Sequence, residues 1–194
     1  MSTSEKPRYH HGDLHAALLS AATDLLEEDG AGLSLRAVAR RAGVSPTAPY
    51  RHFADKEALE NELAAQGFAD LQQRLGATGS QPVALDRLAL IAVSYVRFAL
   101  DRPALFRLMF GTPCTNTQDA RTAAAAKLHE FVMAGVNEAF PQADAEALAT
   151  ACWSLVHGLA FLHLDGKLPS SNPAEVDARV IAAITAILTL RPKT

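Results

Sequence analysis

Apolar residues recur along this chain at steps of three and four, and nowhere do they alternate over a strand-length run. That spacing puts them on one face of a helix, so the expected fold class is all-α, with about nine helices. Leu14, Leu18, Ala21 and Leu25 mark the first helix, which should stop near Gly30 after an acidic end at Glu27, Glu28 and Asp29. Those acids sit on the unfavourable pole of the helix dipole. Ser34 is placed to cap a second helix, Leu35 to Ala42, and Gly43 to supply the left-handed residue that ends it. Ser45 and Pro46 predict the start of a third helix running to about Phe53. Pro49 deletes one backbone hydrogen bond from it and predicts a tighter or shorter helix.

Asp55 caps a fourth helix through Leu59, Leu63, Phe68 and Leu71, fading near Gly76. The Gly- and Pro-containing stretch Gln73 to Pro82 is the clearest break. The expected organisation is therefore an arm at residues 1–8, one domain over 9–76 and a second over 82–194. Five helices follow the break. One is marked by Leu85, Leu88, Ala92, Tyr95 and Ala99; a short one starts at Asp101-Arg102-Pro103 and ends at Gly111. After a polar loop, Gln118 to Phe140, Asp144 to Leu164 and Pro173 to Leu190 complete the set.

Composition narrows what such a chain can do. Its 194 residues are 49% hydrophobic and 20% charged, enough to bury a core and too apolar for wholesale disorder. The net charge of −3 excludes a uniformly basic coat for nucleic acid, but the charge is unevenly spread. Between Ser34 and Lys56 five bases, Arg36, Arg40, Arg41, Arg51 and Lys56, face one acid, Asp55. A basic cluster on two short helices joined by a tight Gly turn is the outline of a helix-turn-helix facing phosphates.

The stretch Ser34-Leu35-Arg36-Ala37-Val38-Ala39-Arg40-Arg41-Ala42-Gly43-Val44-Ser45, then Pro49-Tyr50-Arg51-His52-Phe53 and Lys56-Glu57-Ala58-Leu59, resembles the DNA-binding domain of TetR-family transcriptional regulators. The match runs from about Gly12 to Leu63. Trp153-Ser154-Leu155-Val156-His157-Gly158 and Arg102-Pro103-Ala104-Leu105-Phe106 resemble one branch of that family in its ligand domain. The resemblance implies a ligand-responsive regulator, a repressor by family habit, that binds a palindromic double-stranded DNA operator as a homodimer. It implies DNA contact by Arg36, Ser45, Pro46, Thr47, Ala48, Tyr50, Arg51, His52 and Lys56. Arg36 can reach a guanine edge or a phosphate, Pro46 and Ala48 thymine methyls, and Tyr50 and His52 the phosphates. Phe53 reads as a core plug. Arg40 and Arg41 remain open between solvated charges and phosphate contacts.

Two recognition elements must address major grooves about 34–36 Å apart, so a dimer is needed. The helices at Ala147–Leu164 and Pro173–Leu190 are apolar beyond what one core face uses, and the family pairs its last two helices between copies. Candidates for a pocket lining are Tyr95, Phe98, Phe106, Met109, Phe110, His129, Met133, Trp153 and His157, which would suit a small, largely apolar effector. Trp153 and His157, four apart, share a face; the alternative for them is an indole packed on an imidazole that hydrogen-bonds a neighbouring helix. Effector and DNA are expected to oppose each other, the effector favouring a conformation mis-spaced for the operator.

Other chemistry is thinly supported. No catalytic motif, cofactor motif or metal-ligand spacing occurs, so neither an enzyme, a cofactor nor a metal site is expected. His10, His11 and His15, with Lys6 and Arg8, read as phosphate- or minor-groove-facing rather than metal-binding. Cys114 and Cys152 give no disulfide framework, and the alternatives are a redox- or metal-responsive regulator of the same fold and, less favoured, an all-α enzyme. Met1 to Arg8 lacks the apolar segment of a secretory signal, and the 18 uncharged residues Ala147–Leu164 read as a buried helix rather than a membrane span. A cytoplasmic protein without membrane association is expected.

Overall fold

The computed structural model describes residues 11–29, 33–78, 84–111 and 120–189, and among them every regular element is helical. The arm at 1–8, His10, Gly30, most of the Gly- and Pro-containing break, the loop with Cys114, and Leu190 lie outside the described residues. The order is α1 (His11–Asp29), α2 (Leu35–Arg41), a 3-10 turn (Pro49–Arg51), α3 (Lys56–Gly76), α4 (Ala84–Asp101), α5 (Pro103–Gly111), α6 (Ala120–Ala139), α7 (Ala145–Leu164) and α8 (Pro173–Leu188). The chain divides into two compact units, Met1–Ala64 and Ala65–Thr194. α3 is continuous through that division.

In the first unit, α1 buries Leu18, Ala21, Ala22 and Leu25, and α2 buries Leu35, Val38 and Ala39. Full burial of a leucine contributes about 1.5–3 kcal/mol. Ser34 accepts from the Ala37 N–H at 3.2 Å and Asp55 from the Ala58 N–H at 2.8 Å, so both predicted caps form. Gly43 has φ +69°, the left-handed turn that ends α2. The acidic end of α1 gains a partner that the helix dipole denies it. Arg41 of α2 forks onto Glu28, with one contact at 3.0 Å, and that hydrogen bond holds the Glu28 carboxyl below the ordinary carboxylate range.

The expected third α-helix, Pro46 to Phe53, is corrected to a 3-10 turn at Pro49–Arg51. Pro46 and Pro49 are three residues apart and neither has an N–H to give. The Ser45 carbonyl is taken by Ala48 N at 3.0 Å, and the Ala48 carbonyl by Arg51 N at 3.2 Å, both three-residue bonds. Only Phe53 N, bonding Pro49 O at 2.9 Å, closes a four-residue ring here. Ser45 is not an N-cap either; its hydroxyl lies 3.3 Å from that of Thr47.

In the second unit α4 is the central element, packed on α5, α6, α7 and α8. It buries Ala92, Tyr95, Val96, Phe98 and Ala99. Asp144 and Asn172 cap α7 and α8 through the N–H groups of Ala147 and Ala174, each at 3.0 Å. Arg97 of α4 forks onto Asp177 of α8 at 2.7 and 3.0 Å. Arg74 and Asp70, one turn apart on α3, pair with Asp101 and Arg102 at the α4–α5 corner, each at 2.7 Å.

Candidate functional site

The predicted DNA-facing residues lie on α2, on the turn that follows it and at the start of α3. Arg36 stands in the first turn of α2 and is exposed, as are Ser45, Pro46, Thr47, Tyr50, Arg51 and Lys56. Ala48 and His52 are half-buried. Tyr50 is 52% exposed, whereas the neighbouring Phe53 is 2% exposed and plugs the core beneath it. An exposed tyrosine presents a hydroxyl and a flat ring to whatever meets these residues. Arg40 is free to solvent, while Arg41 is held by Glu28. Lys56 reaches Glu60 at 3.2 Å, an exposed helical pair worth a few tenths of a kcal/mol. His15 is occupied inside the unit: its Nε2 lies 3.0 Å from Glu62, and its ring stacks on Phe53.

The second unit holds a partly open cavity of about 300 Å³. α3 contributes Phe68 and Leu75, α4 Leu88, Ile91, Ala92 and Tyr95, and α5 Met109 and Phe110. α6 adds Ala125, Leu128, His129, Val132 and Val136; α7 adds Cys152, Trp153 and Val156; α8 adds Ile184. The wall is apolar apart from the tips of Tyr95, His129, Cys152 and Trp153.

Of the nine residues expected to line a pocket, Tyr95, Met109, Phe110, His129 and Trp153 do so. Phe98 and Phe106, 2% and 0% exposed, are consumed by packing, and Met133 packs on the Leu88–Val136–Ala149 cluster. His157 stands behind Tyr95 rather than on the wall. The wall's aliphatic majority was missed because leucine and valine on a buried face look the same whether they meet a neighbour or a void. The available signal was the α6 stripe at 125, 128, 129, 132 and 136, too apolar for a helix that buries so little.

Three side chains form an ordered donor chain beside the cavity. Trp153 Nε1 donates to the Tyr95 hydroxyl at 3.3 Å, and that hydroxyl lies 2.9 Å from His157 Nδ1. Burial raises the Tyr95 pKa, against the smaller pull of the Trp153 bond, and burial lowers that of His157. Tyr95 is thus kept protonated and able to donate, and His157 neutral and able to accept. The imidazole sits among Phe110, Phe161 and Phe106, with centroids at 4.7, 4.9 and 5.6 Å. This is the arrangement of indole and imidazole bonded to a neighbouring helix. His163 of α7 is likewise shifted down, first by burial and then by Arg179, with the Pro169 and Leu168 carbonyls pulling the other way.

A pH dependence follows. Both histidines take a proton less readily when folded than at the ordinary value of 6.5, so the unfolded chain binds more protons below that pH. Their contribution is complete above pH 6.5 and is lost as pH falls through the folded values. Thermal melts between pH 7.5 and 5 should show a falling midpoint, and His157→Gln, which keeps an acceptor for Tyr95, should flatten the slope. A midpoint unchanged over that interval in the wild type would contradict this account.

Residues 18–71 match the family model described as bacterial regulatory proteins, tetR family, and residues 88–187 match that of the tetracyclin repressor-like C-terminal domain. The chain belongs to the TetR family of transcriptional regulators. Members of this family regulate transcription by binding DNA through the N-terminal helix-turn-helix, which here is the unit carrying the predicted DNA-facing residues. A helix-turn-helix-type transcriptional regulator of Haemophilus influenzae is 34% identical over 119 residues, which are 60% of this chain and 58% of that protein. The chain thus spans under two thirds of that relative's length. A solved Rhodococcus sp. RHA1 protein of unknown function is 35% identical, with a TM-score of 0.79 over 93% of this chain and 97% of its own. A second Rhodococcus RHA1 structure, a bacterial regulatory protein in the tetR family, is 25% identical, with a TM-score of 0.64 over 88% and 95%.

Proposed function

We propose that the chain is an effector-responsive repressor that binds a palindromic operator as a homodimer and releases it when the cavity is filled. The observation that carries this reading is the continuity of α3. One helix holds Lys56 at its start, in the unit with the exposed basic residues, and Phe68 and Leu75 on the cavity wall. An occupant that displaces those wall residues acts on a helix whose first turns belong to the DNA-binding unit. A coupling of about 1–3 kcal/mol would change operator affinity some 5–150-fold.

Arg36, Thr47 and the exposed face of Tyr50 are the proposed base- and phosphate-contacting groups, with Ser45, Pro46, Ala48, Arg51, His52 and Lys56 completing the contact set. The tight turn leaves Thr47 ahead of the helical segment with its side chain exposed. The dimer reading is supported by exposure. Among the described residues five large apolar side chains are exposed; four of them, Trp153, Leu162, Ile181 and Ile187, lie on α7 and α8. α7 has the length and hydropathy to cross a bilayer, with a third of it buried, and covering by a second copy accounts for that apolar excess. The redox alternative is disfavoured by Cys152, whose buried thiol is pushed up in pKa rather than activated.

The test is selection of bound duplexes from a random DNA pool by the full chain, with Tyr50→Ala in parallel. The expected result is an enriched palindrome, lost or weakened at least about tenfold in the variant. Failure to enrich any sequence at low salt, where nonspecific attraction is strongest, would overturn the operator reading.

A further inference from the structure

Arg121 and His163 are the buried polar side chains among the described residues, and Arg121 is the one with a fixed charge. Arg121 lies in the first turn of α6 and is 3% exposed, and its Nη2 donates to the Leu108 carbonyl at 3.3 Å. Its Nε has no partner, and neither has the buried hydroxyl of Thr122 beside it. Six other arginines, 41, 74, 87, 97, 102 and 107, each hold a carboxylate. Among the described residues the buried one holds none. An unpaired guanidinium out of water is costly, and one carbonyl does not offset the loss of its hydration.

Its position explains what it is for. The cavity stripe on α6 runs back from Val136 through Val132, Leu128 and Ala125 in steps of four, four and three; one further step of four reaches Arg121. It therefore stands one helical turn, about 5.4 Å, beyond the wall at Ala125. The Leu108 carbonyl that it touches immediately precedes Met109 and Phe110, which are also wall residues.

We propose that the effector is an apolar acid whose body fills the cavity and whose carboxylate pairs with Arg121. This rests on reading the cavity as the effector site. The cavity's 300 Å³ is about twice the volume that holds one benzene, so the body has the size of two rings or a medium alkyl chain. The carboxylate supplies the guanidinium with the bonds that it lacks, in the forked geometry that arginine favours.

The experiment compares acids with neutral partners of the same shape: decanoate with 1-decanol, and 2-naphthoate with 2-naphthalenemethanol. Binding to the full chain is followed by calorimetry at pH 7.5. For the decyl pair, emission of Trp153, the sole tryptophan and a wall residue, reports occupancy of the cavity. The acids should bind about tenfold to a hundredfold more tightly than the alcohols. Arg121→Met should bring the acids to the level of the alcohols without changing alcohol affinity, and Arg121→Lys should retain part of the preference. The Arg121→Met midpoint should equal or exceed that of the wild type, because the variant removes a buried charge that no carboxylate among the described residues offsets. Equal affinities in the wild type, or a preference that survives in Arg121→Met, would overturn the charge pairing while leaving the cavity as an apolar site. Binding of neither member of either pair would overturn the cavity reading and this inference with it. A lowered midpoint with loss of both ligands would assign Arg121 to structure instead.

Discussion

Phe106→Ala is expected to cost about 3–5 kcal/mol, the range for removing a fully buried phenyl ring. The ring is wholly buried and meets Phe110 at 4.8 Å, Tyr95 edge-on at 5.6 Å, His157 at 5.6 Å and Phe161 at 5.7 Å. Those neighbours come from α4, α5 and α7, so no single helix can move to refill the space. The Tyr95–His157 bond would also lose the surface on which both rings rest. For a chain of this length the loss corresponds to a fall in midpoint of about 6–20 °C. Phe106→Leu, which restores most of the volume, should cost under about 1.5 kcal/mol. Paired thermal melts decide it; a loss below 1 kcal/mol in Phe106→Ala would mean that this aromatic cluster is not the core of the second unit.

Phe106 also marks the limit of what the sequence can disclose. Phe106 and Phe110 are four apart on α5 and read alike, yet Phe110 lines the cavity and Phe106 does not. Which ring meets the void depends on how α5 lies against α3 and α7, a property of packing that no local spacing records. Signals carried by a few adjacent residues were legible: the caps at Ser34 and Asp55, the left-handed Gly43, and the periodic faces of the long helices. The 3-10 turn was half-legible: the missing N–H groups of Pro46 and Pro49 are visible in sequence, but the turning of the Ser45 and Ala48 carbonyls to three-residue partners is not. Pairs such as Arg97 with Asp177, 80 residues apart, and the lack of a carboxylate for Arg121 among the described residues were not legible.

Placing glutamate at both Leu162 and Ile181 is expected to yield a folded monomer that no longer binds the operator. On α7 the exposed positions Ala147, Ala151, Ser154, Gly158 and Leu162 follow steps of four, three, four and four, one continuous stripe. Its small residues permit a close approach of backbones, and Leu162, 43% exposed, and Ile181 of α8, 39% exposed, supply the apolar contacts. Neither side chain belongs to the buried core of its own copy, so the double variant should keep its helicity and most of its midpoint. In a dimer the same changes bury four carboxylates without partners, at a cost of several kcal/mol that an interface of ordinary affinity cannot sustain. A monomer addresses one half-site only, and operator affinity should fall by about a hundredfold or more. Light scattering at micromolar concentration and operator titration measure the two effects together. Dimers that persist in the variant would move the interface off α7 and α8. Wild-type monomers that sediment with lipid vesicles would mean that the stripe meets a membrane instead of a second copy.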